Sequence, residues 1–331
     1  MEKKRFTDIQ TIYPRREGAD EELKAVVMRN AGEKGFSRPE MMKAVEDDLA
    51  AIKTTGSASG YLMVMEALNA TDTKKDEYWF GGSITSGVVP FLTGMSDNNP
   101  FDLTQPRVYP EFYYRFNGKT KEPGFDIRVS EDLGTRLREY FSAFESNNPE
   151  AGVQIEMEDY KYDWLKVFVI SDKEDDEHKN MYINILPFKT KEKPIERILD
   201  EEIRLICEPN SFEDYVKCFG LSKGIGIWED NMKDLLSNGA ADLKNVIANR
   251  EDVYELLMNA GMEKTQAFRI TEDIIKGRIN RRGWDEKTRA ELSDLKLPEW
   301  FWDCGEKIKY LWPRSHAMSF LRFHCACSLL S

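Results

Sequence analysis

From residue 194 to the C-terminus the chain is a succession of helical segments, and no other feature constrains its fold as strongly. Apolar residues recur at helical spacing in separate stretches, with glycine or proline between them. The stretches are 194–206, 211–219, 227–237, 250–260, 263–277, 285–296, 298–309 and 316–330. The predicted breaks are Gly220, Gly224, Gly239, Gly261, Gly283 and Pro298. We therefore predict an all-α module here.

The first part of the chain mixes helix and strand patterns. Residues 20–54 contain two helical patterns broken by Gly32 and Gly35, and the apolar segment 61–68 fits a helix or a strand by periodicity alone. Strands are predicted at 123–129, 165–170 and 182–186, and a helix is predicted from Ser130 to about Glu145. The chain of 331 residues is long enough for two or three domains. The predicted fold class is α+β, with the mixed part preceding the all-α part.

Charge is unevenly distributed between these parts. The formal net charge of −12 argues against a protein that coats nucleic acid by bulk charge. Residues 1–210 carry 29 basic and 40 acidic residues, whereas residues 211–331 carry 18 and 19. Basic residues cluster in the second part, at Lys276, Arg278, Arg281, Arg282, Lys287 and Arg289, and again at Lys307, Lys309, Arg314 and Arg322. These clusters suit either a focused anion site or ordinary solvated helix surfaces.

Cysteine content and hydropathy predict a protein of the reducing cytoplasm. The 5 cysteines follow neither a paired disulfide framework nor a metal-binding CxxC spacing. The first residues, MEKKRFTDIQ, contain no apolar signal segment, and no apolar run approaches the roughly 20 residues of a membrane span.

Two short motifs in the first part are typical of phosphate and metal chemistry. GGSITSG at 81–87 precedes an apolar run, and successive amides of such a loop at a helix start can cradle a phosphate, although an ordinary turn has the same composition. In PGFDIRV at 123–129, Gly124, Asp126 and Arg128 share one face of a strand. One of these has no side chain and another is cationic, so the strand lacks the paired carboxylates of a two-metal site.

Several segments together resemble the catalytic core of bacterial replicative DNA polymerase III alpha subunits of the PolC type. The strongest likeness lies in residues 209–239, which include GLSKGIG, in IIKGR at 274–278, and in LPEWFWDCGEKIKYLWPRSHA at 297–317, which resemble the family's fingers. Residues 47–68, GGSITSGVVP and PGFDIRV resemble its palm more faintly. The resemblance implies a palm-like domain at 1–207, a fingers-like domain at 208–331, and a helix at 61–68.

The same resemblance places two non-acidic residues where the family has catalytic carboxylates. Gly124 stands at the first acidic position, Asp126 at the second, and Asn184 of YINILP at the third, while Gly81 stands at an arginine position of the phosphate loop. Asp126 is then a remnant metal ligand, and Mg²⁺ is implied only if activity remains. Because a pair of Mg²⁺ ions needs several anionic oxygens, we expect little or no synthesis, although enzymatic activity stays undecided.

Binding groups are better represented than catalytic ones. The resemblance implies that the incoming triphosphate is approached by the palm loop and by basic fingers residues, namely Gly82, Ser83, Thr85, Ser86, Lys276, Arg278, Arg314 and His316. Cationic and hydroxyl groups hold phosphate without metal catalysis. DNA or dNTP is the expected partner, in a replication-related role.

Two other functions remain open at this point. An active nucleotidyltransferase would need substitute ligands such as Asp159, Asp163 or Asp172 close to Asp126. A non-catalytic protein would instead occupy a replisome partner as a decoy. The acidic run SDKEDDEHKN at 171–180, with His178, is interpreted as a solvated loop rather than a metal site.

Overall fold

The computed structural model describes residues 17–114, 125–147, 153–160, 162–169, 182–187 and 198–324. The chain divides into two compact units: Met1–Phe101 with Tyr109–Lys191, and Asp102–Val108 with Glu192–Ser331. Asp102–Val108 and residues 198–207 thus belong to the second unit, whereas the predicted boundary leaves both with the first. A contact between α7, Glu201–Cys207, and the following helix accounts for part of this difference. The palm and fingers assignments stay predictions.

Six helices form the described α-structure of the first unit. They are α1 Ala19–Glu33, α2 Pro39–Thr55, α3 Ala58–Ala70, α4 Val88–Leu92, α5 Glu111–Tyr114 and α6 Glu131–Asn147. Their boundaries follow local chemistry: Pro39 occupies the first turn of α2, Gly56 ends it in the left-handed region, and Ser130 Oγ accepts the Leu133 amide 3.2 Å away at the start of α6. The helical interpretation of 61–68 is confirmed by α3.

A mixed five-stranded sheet completes this unit. Its strands are β1 Tyr78–Gly81, β2 Phe125–Val129, β3 Val153–Tyr160, β4 Tyr162–Val169 and β5 Tyr182–Pro187, in the spatial order β1-β2-β5-β4-β3. Among the described strands, β2 and β5 are the one parallel pair. Phe125, Ile127 and Val129 are buried in the core together with apolar residues of α6. The intervening residues of β2 therefore lie on the opposite face. The α+β prediction is confirmed at this level.

The regular secondary structure in the described part of the second unit is helical, apart from one isolated β-bridge between Ile225 and Tyr310. Its helices are α7, α8 Phe212–Lys223, α9 Lys233–Ser237, α10 Arg250–Asn259, α11 Lys264–Ile275, α12 Arg278–Arg282, α13 Glu286–Ser293, α14 Phe301–Lys307 and α15 Arg314–His324. None of the helices in the described ranges combines the length and apolar character of a membrane span.

The predicted helix boundaries are wrong in several places. Helix α8 continues through Gly220, because this glycine allows close packing: a Cβ there would lie 2.6 Å from the Ala248 carbonyl oxygen. The segment 227–237 is not one helix, since Asp230 has a φ of 54°. Helix α7 begins only at Glu201, whose preceding Asp200 caps it. Strands β1 and β3 and helices α5 and α12 were not predicted.

Candidate functional site

Three positions singled out in the sequence are neighbours in the sheet. Asp126 of β2 is paired in register with Gly81 of β1 on one side and with Asn184 of β5 on the other. Adjacent strands lie about 4.8 Å apart, so acidic residues at the Asp126 and Asn184 positions would lie close enough to share a metal ion. Of Gly81, Asp126 and Asn184, Asp126 is the residue with a carboxylate. Gly124 lies outside the described residues.

Arg128 provides a protein cation two residues from Asp126 on β2. Its guanidinium lies 6.0 Å from the centre of the Trp79 ring. Burial lowers the pKa of Arg128, and the charge of Asp126 opposes that change. A cation on the same strand face repels metal ions. Together with the missing carboxylates, Arg128 shows that these residues do not fit a pair of Mg²⁺ ions.

Two of the three predicted substitute ligands, Asp159 and Asp163, lie far from Asp126. Asp159 of β3 and Asp163 of β4 are paired with each other in the hairpin, and both β5 and β4 separate β3 from β2. Three strand spacings put the backbone of Asp159 about 14 Å from β2, beyond the reach of a shared ion. Asp172 and the acidic run at 171–180 lie outside the described residues. Among the residues that are described, no cluster of three or more metal-ligating side chains occurs.

The glycine-rich loop lies beside Asp126, but one of its hydroxyl groups is hydrogen-bonded within the loop and two of its polar side chains are buried. A Cβ at Gly82, whose φ is 79°, would lie 3.6 Å from Asp126 Oδ2. Thr85 Oγ1 donates to the Gly82 carbonyl at 2.7 Å, and the Thr85 and Ser86 side chains are wholly buried. Ser83 is the loop hydroxyl that remains partly exposed. Of the predicted phosphate-binding hydroxyls, Ser83 is therefore the accessible one in this conformation.

The buried side chain of Asp48 occupies backbone amides that the predicted phosphate cradle would use. Asp48 of α2 accepts the amides of Val88 and Val89, the first residues of α4, at 2.6 and 2.9 Å. These amides are the donors that a phosphate at the start of α4 would need. Burial raises the pKa of Asp48 to about 8, and the two amides oppose this rise. Nothing in the sequence distinguished Asp48 from the neighbouring Asp47, so this residue was missed.

In the second unit, the structure brings together the KGIG, KGR and KIKY segments. A Cβ at Gly277, whose φ is 61°, would lie 2.9 Å from the Lys309 carbonyl oxygen, and one at Gly226 would lie 2.1 Å from the Lys307 carbonyl oxygen. Ile225 and Tyr310 pair through backbone hydrogen bonds of 2.9 and 3.2 Å. Each glycine thus permits a backbone contact that no other residue allows.

The cations around this contact form what we call the KGR face: Lys276, Arg278, Arg281 and Lys309. Lys276 pairs with Glu272, and Arg278 pairs with Asp273 at 2.6 Å, yet both side chains remain 39% and 47% exposed. Lys309 is exposed and makes no ion pair within the described residues. Ile225 and Tyr310 are also exposed, so apolar and aromatic surface adjoins the cations.

Arg314, another predicted ligand for the triphosphate, is instead part of the core. Its side chain is 5% exposed and donates to Asp252 at 2.7 Å, to both oxygens of Glu255 at 2.6 and 2.7 Å, and to the Arg107 carbonyl at 2.8 Å. These four bonds use both terminal nitrogens of the guanidinium. This corrects the prediction, and Arg314 is a structural cation.

His316 occupies the first turn of the same helix, α15. Its ring lies edge-on to Trp312, with 4.6 Å between the ring centres, and it is partly exposed. This edge-on contact with Trp312 explains the position of His316 without a ligand. Its predicted nucleotide contact stays a prediction.

Comparisons with known proteins find related sequences for part of this chain. No family model matches the sequence. The chain is 39% identical over 113 residues to the PolC-type DNA polymerase III of Thermotoga petrophila and, over the same length, to that of Thermotoga maritima; it is 35% identical over 114 residues to that of Staphylococcus aureus. Each match spans 34% of this chain and only 8% of the relative's length. About a third of this chain is therefore related to PolC-type DNA polymerase III.

Proposed function

We propose that this chain is a degenerate PolC-type relative that binds DNA or dNTP through the KGR face in a replication-related role and synthesises little or no DNA. The matched region corresponds in this proposal to the fingers-like helices, since the motif-bearing stretch 209–317 has a similar length. The first unit is a palm-like domain that has lost its metal site.

The observation that carries the binding role is the contact between Gly277 and Lys309. It joins residues 276–278 to residues 307–310, which are distant in sequence, and holds four cations on one surface. Cations alone give sequence-independent attraction to phosphates, and an adjoining exposed aromatic residue adds a stacking surface for a base. Tyr310 occupies that place.

The proposed loss of synthesis is supported by the register of the sheet. Asp126 is flanked by Gly81 and Asn184, and Arg128 adds a positive charge two residues away. Without the bridging carboxylates, the transition-state charge of nucleotidyl transfer is not neutralised, and the rate falls by orders of magnitude. If residual activity exists, Mg²⁺ is its metal.

The binding role is tested with a fluorescein-labelled primer–template duplex and, separately, with a labelled dNTP, by anisotropy at 50, 100 and 200 mM KCl. We expect Lys276→Ala/Arg278→Ala to weaken DNA binding and to reduce the slope of log K against log salt by about 2, because each lost phosphate contact contributes about 0.9. Circular dichroism confirms that the variant is folded.

Lys264→Ala is the charge-matched control for Lys276→Ala alone, because each removes one positive charge and the two positions lie at opposite ends of α11, about 18 Å apart. Its affinity and salt slope should equal those of the parent protein. Equal losses of DNA affinity in the control and in the double variant would mean that binding depends on the total charge of the protein and not on the KGR face. No binding of either probe by the parent protein would contradict the proposal and favour a replisome-interaction protein.

Synthesis is measured in parallel by primer extension with Mg²⁺ or Mn²⁺. We expect no template-dependent product. Extension that Asp126→Ala abolishes would overturn the loss of activity and establish a nucleotidyltransferase with other ligands. Binding without extension is the expected combination.

A further inference from the structure

Arg128 of β2 is a half-buried arginine whose guanidinium has no hydrogen-bond or ion-pair partner among the described residues. Its Nε is buried without a partner, whereas the two terminal nitrogens are not buried and remain open to a ligand. Arg136 of α6, which is also half-buried, shows the contrasting arrangement, because it pairs with Glu77 and Asp132. Arg128 thus carries donors that the described part of the protein does not use.

The side chain of Trp79 fixes where this guanidinium lies. Trp79 of β1 is opposite Arg128 in the antiparallel register, and the guanidinium lies 6.0 Å from the centre of the Trp79 ring. A cation over an aromatic ring is held by an electrostatic attraction that uses none of its N–H groups. Because a guanidinium has five donors, and because polar groups that are removed from water are normally hydrogen-bonded, this arrangement points to an anion that binds the unused donors.

We propose that the terminal nitrogens of Arg128 bind one phosphate group of a nucleotide or of DNA, and that they do so without a divalent metal ion. The two terminal nitrogens of a guanidinium present parallel N–H groups that match two oxygens of a phosphate. The face of the sheet that does not fit a pair of Mg²⁺ ions is then an anion site built on a protein cation. The choice of phosphate among oxyanions rests on the proposed function, whereas the site itself rests on the unpartnered guanidinium.

Asp126 distinguishes this site from one in which a metal ion holds the phosphate. It lies two residues from Arg128 on the same strand face, so the two backbone positions are about 7 Å apart. At that distance its carboxylate repels a phosphate on Arg128. A phosphate held through a metal ion would instead depend on Asp126 as a ligand of that ion. Replacing Asp126 by asparagine therefore has opposite effects in the two cases.

The binding experiment uses the full chain with Lys276→Ala and Arg278→Ala, so that cations of the KGR face do not contribute to it. The probe is dAMP, titrated by calorimetry in buffer that contains EDTA. We expect Arg128→Met to weaken binding at least about tenfold, because it removes charge-assisted hydrogen bonds and keeps an unbranched side chain beside Trp79. Asp126→Asn should strengthen binding at least about threefold.

Arg138→Met is the matched control, because it removes the same charge from an exposed position of the same unit. Arg138 lies in α6, whose apolar residues share the core with the opposite face of β2. Its affinity for dAMP should equal that of the background protein. Deoxyadenosine, which has the same base and sugar without the phosphate, should bind at least about tenfold more weakly than dAMP.

Thermal melting separates a ligand-binding arginine from a structural one. We expect dAMP to raise the melting temperature of the background protein but not that of Arg128→Met, because a ligand stabilises the folded state to which it binds. Without ligand, Arg128→Met should melt at the same temperature as the background protein or higher, since no hydrogen bond to a described residue is lost. A lower melting temperature without ligand would assign Arg128 to the fold and contradict the proposal.

A second arm identifies the source of the phosphate, with a single-stranded oligodeoxynucleotide that lacks terminal phosphates. Loss of its binding in Arg128→Met assigns the site to the DNA backbone, and loss of dAMP binding alone assigns it to free nucleotides. The proposal is overturned if neither probe binds, if binding requires added Mg²⁺, if Asp126→Asn abolishes it, or if Arg128→Met and Arg138→Met have the same effect. Since the KGR face is already disabled in this background, each of these failures leaves the proposed function untouched.

Discussion

Replacing Arg314 by methionine distinguishes a structural cation from a ligand-binding one. The substitution keeps an unbranched side chain of similar length but removes all donors to Asp252, Glu255 and the Arg107 carbonyl. If Arg314 is structural, the variant loses stability. If it faces a triphosphate, the variant loses binding and keeps its stability.

The expected magnitude follows from the charges left behind. Removing one member of a buried ion pair costs about 3–5 kcal/mol, because the remaining charge stays buried. Asp252 keeps Lys217 at 3.1 Å and the amides of Ala248 and Asn249, so the loss should lie near the lower end. Burial works to raise the pKa of Asp252, but Lys217 and Arg314 outweigh it and lower the pKa to about 2 from 3.8. That lowering corresponds to about 2 kcal/mol of stability, to which Lys217 and the two amides also contribute, so only part of it depends on Arg314.

The lowered pKa of Asp252 also determines how the stability of the protein changes with pH. A carboxylate whose pKa is lower in the folded state contributes stability above about pH 4, and this contribution disappears as the pH falls towards 2. Part of it depends on Arg314. The difference in stability between the parent protein and Arg314→Met should therefore be largest near pH 7 and should shrink between pH 4 and pH 2.

Urea denaturation followed by tryptophan fluorescence at pH 7 and pH 3 measures both effects. Arg278→Met is the control, because its side chain is 47% exposed and its ion pair is near the surface; we expect it to cost less than about 1 kcal/mol. A folded Arg314→Met protein with an unchanged urea midpoint and lost DNA or dNTP binding would refute the structural assignment.

Three further substitutions test separate parts of the fold. Asp48 has a folded pKa of about 8 against an ordinary value of 3.8, so stability should fall as the pH rises from about 4 to 8, and Asp48→Asn should flatten this dependence in urea titrations at pH 5 and pH 8. Gly220→Ala should lower stability by about 1–3 kcal/mol, measured by thermal melting, because its Cβ would lie 2.4 Å from Asn249 Nδ2. Asn184→Asp places a second carboxylate about 5 Å from Asp126 along the register and should tighten Mn²⁺ binding in calorimetry at least about tenfold; unchanged Mn²⁺ affinity would contradict the derived register.

The helical pattern of the sequence predicted which helices exist better than it predicted the residues at which they begin and end. The spacing of apolar residues located α1, α2, α10 and α11 to within a few residues, because an amphipathic helix buries its apolar stripe and exposes the opposite, polar face. Glycine was the ambiguous signal. The same residue type ends α2 at Gly56 but continues α8 at Gly220, and only the neighbouring Ala248 backbone distinguishes these uses.

The candidate site was predictable in its chemistry and not in its contacts. The resemblance named Gly81, Asp126 and Asn184, but their adjacency depends on antiparallel pairing of β1 with β2 and parallel pairing of β2 with β5, which are long-range properties that local patterns do not encode. Arg314 shows the opposite problem. The resemblance implied a cation that approaches a triphosphate, whereas acidic residues of α10, some 60 positions earlier, surround Arg314 in the structure.

The sheet site differs from a metal centre in how its charge is balanced. In a two-metal site the carboxylates repel one another, and the fold tolerates them because bound cations neutralise them. In β2 the carboxylate of Asp126 and the guanidinium of Arg128 lie two residues apart on one face, and the charge of Asp126 favours the charged form of Arg128 against its burial. Because the protein's own cation contributes to this balance, no metal is needed to offset a cluster of acids. Restoring a metal site would therefore require removal of Arg128 as well as the addition of carboxylates, and Asn184→Asp combined with Arg128→Ser should bind Mn²⁺ more tightly than Asn184→Asp alone.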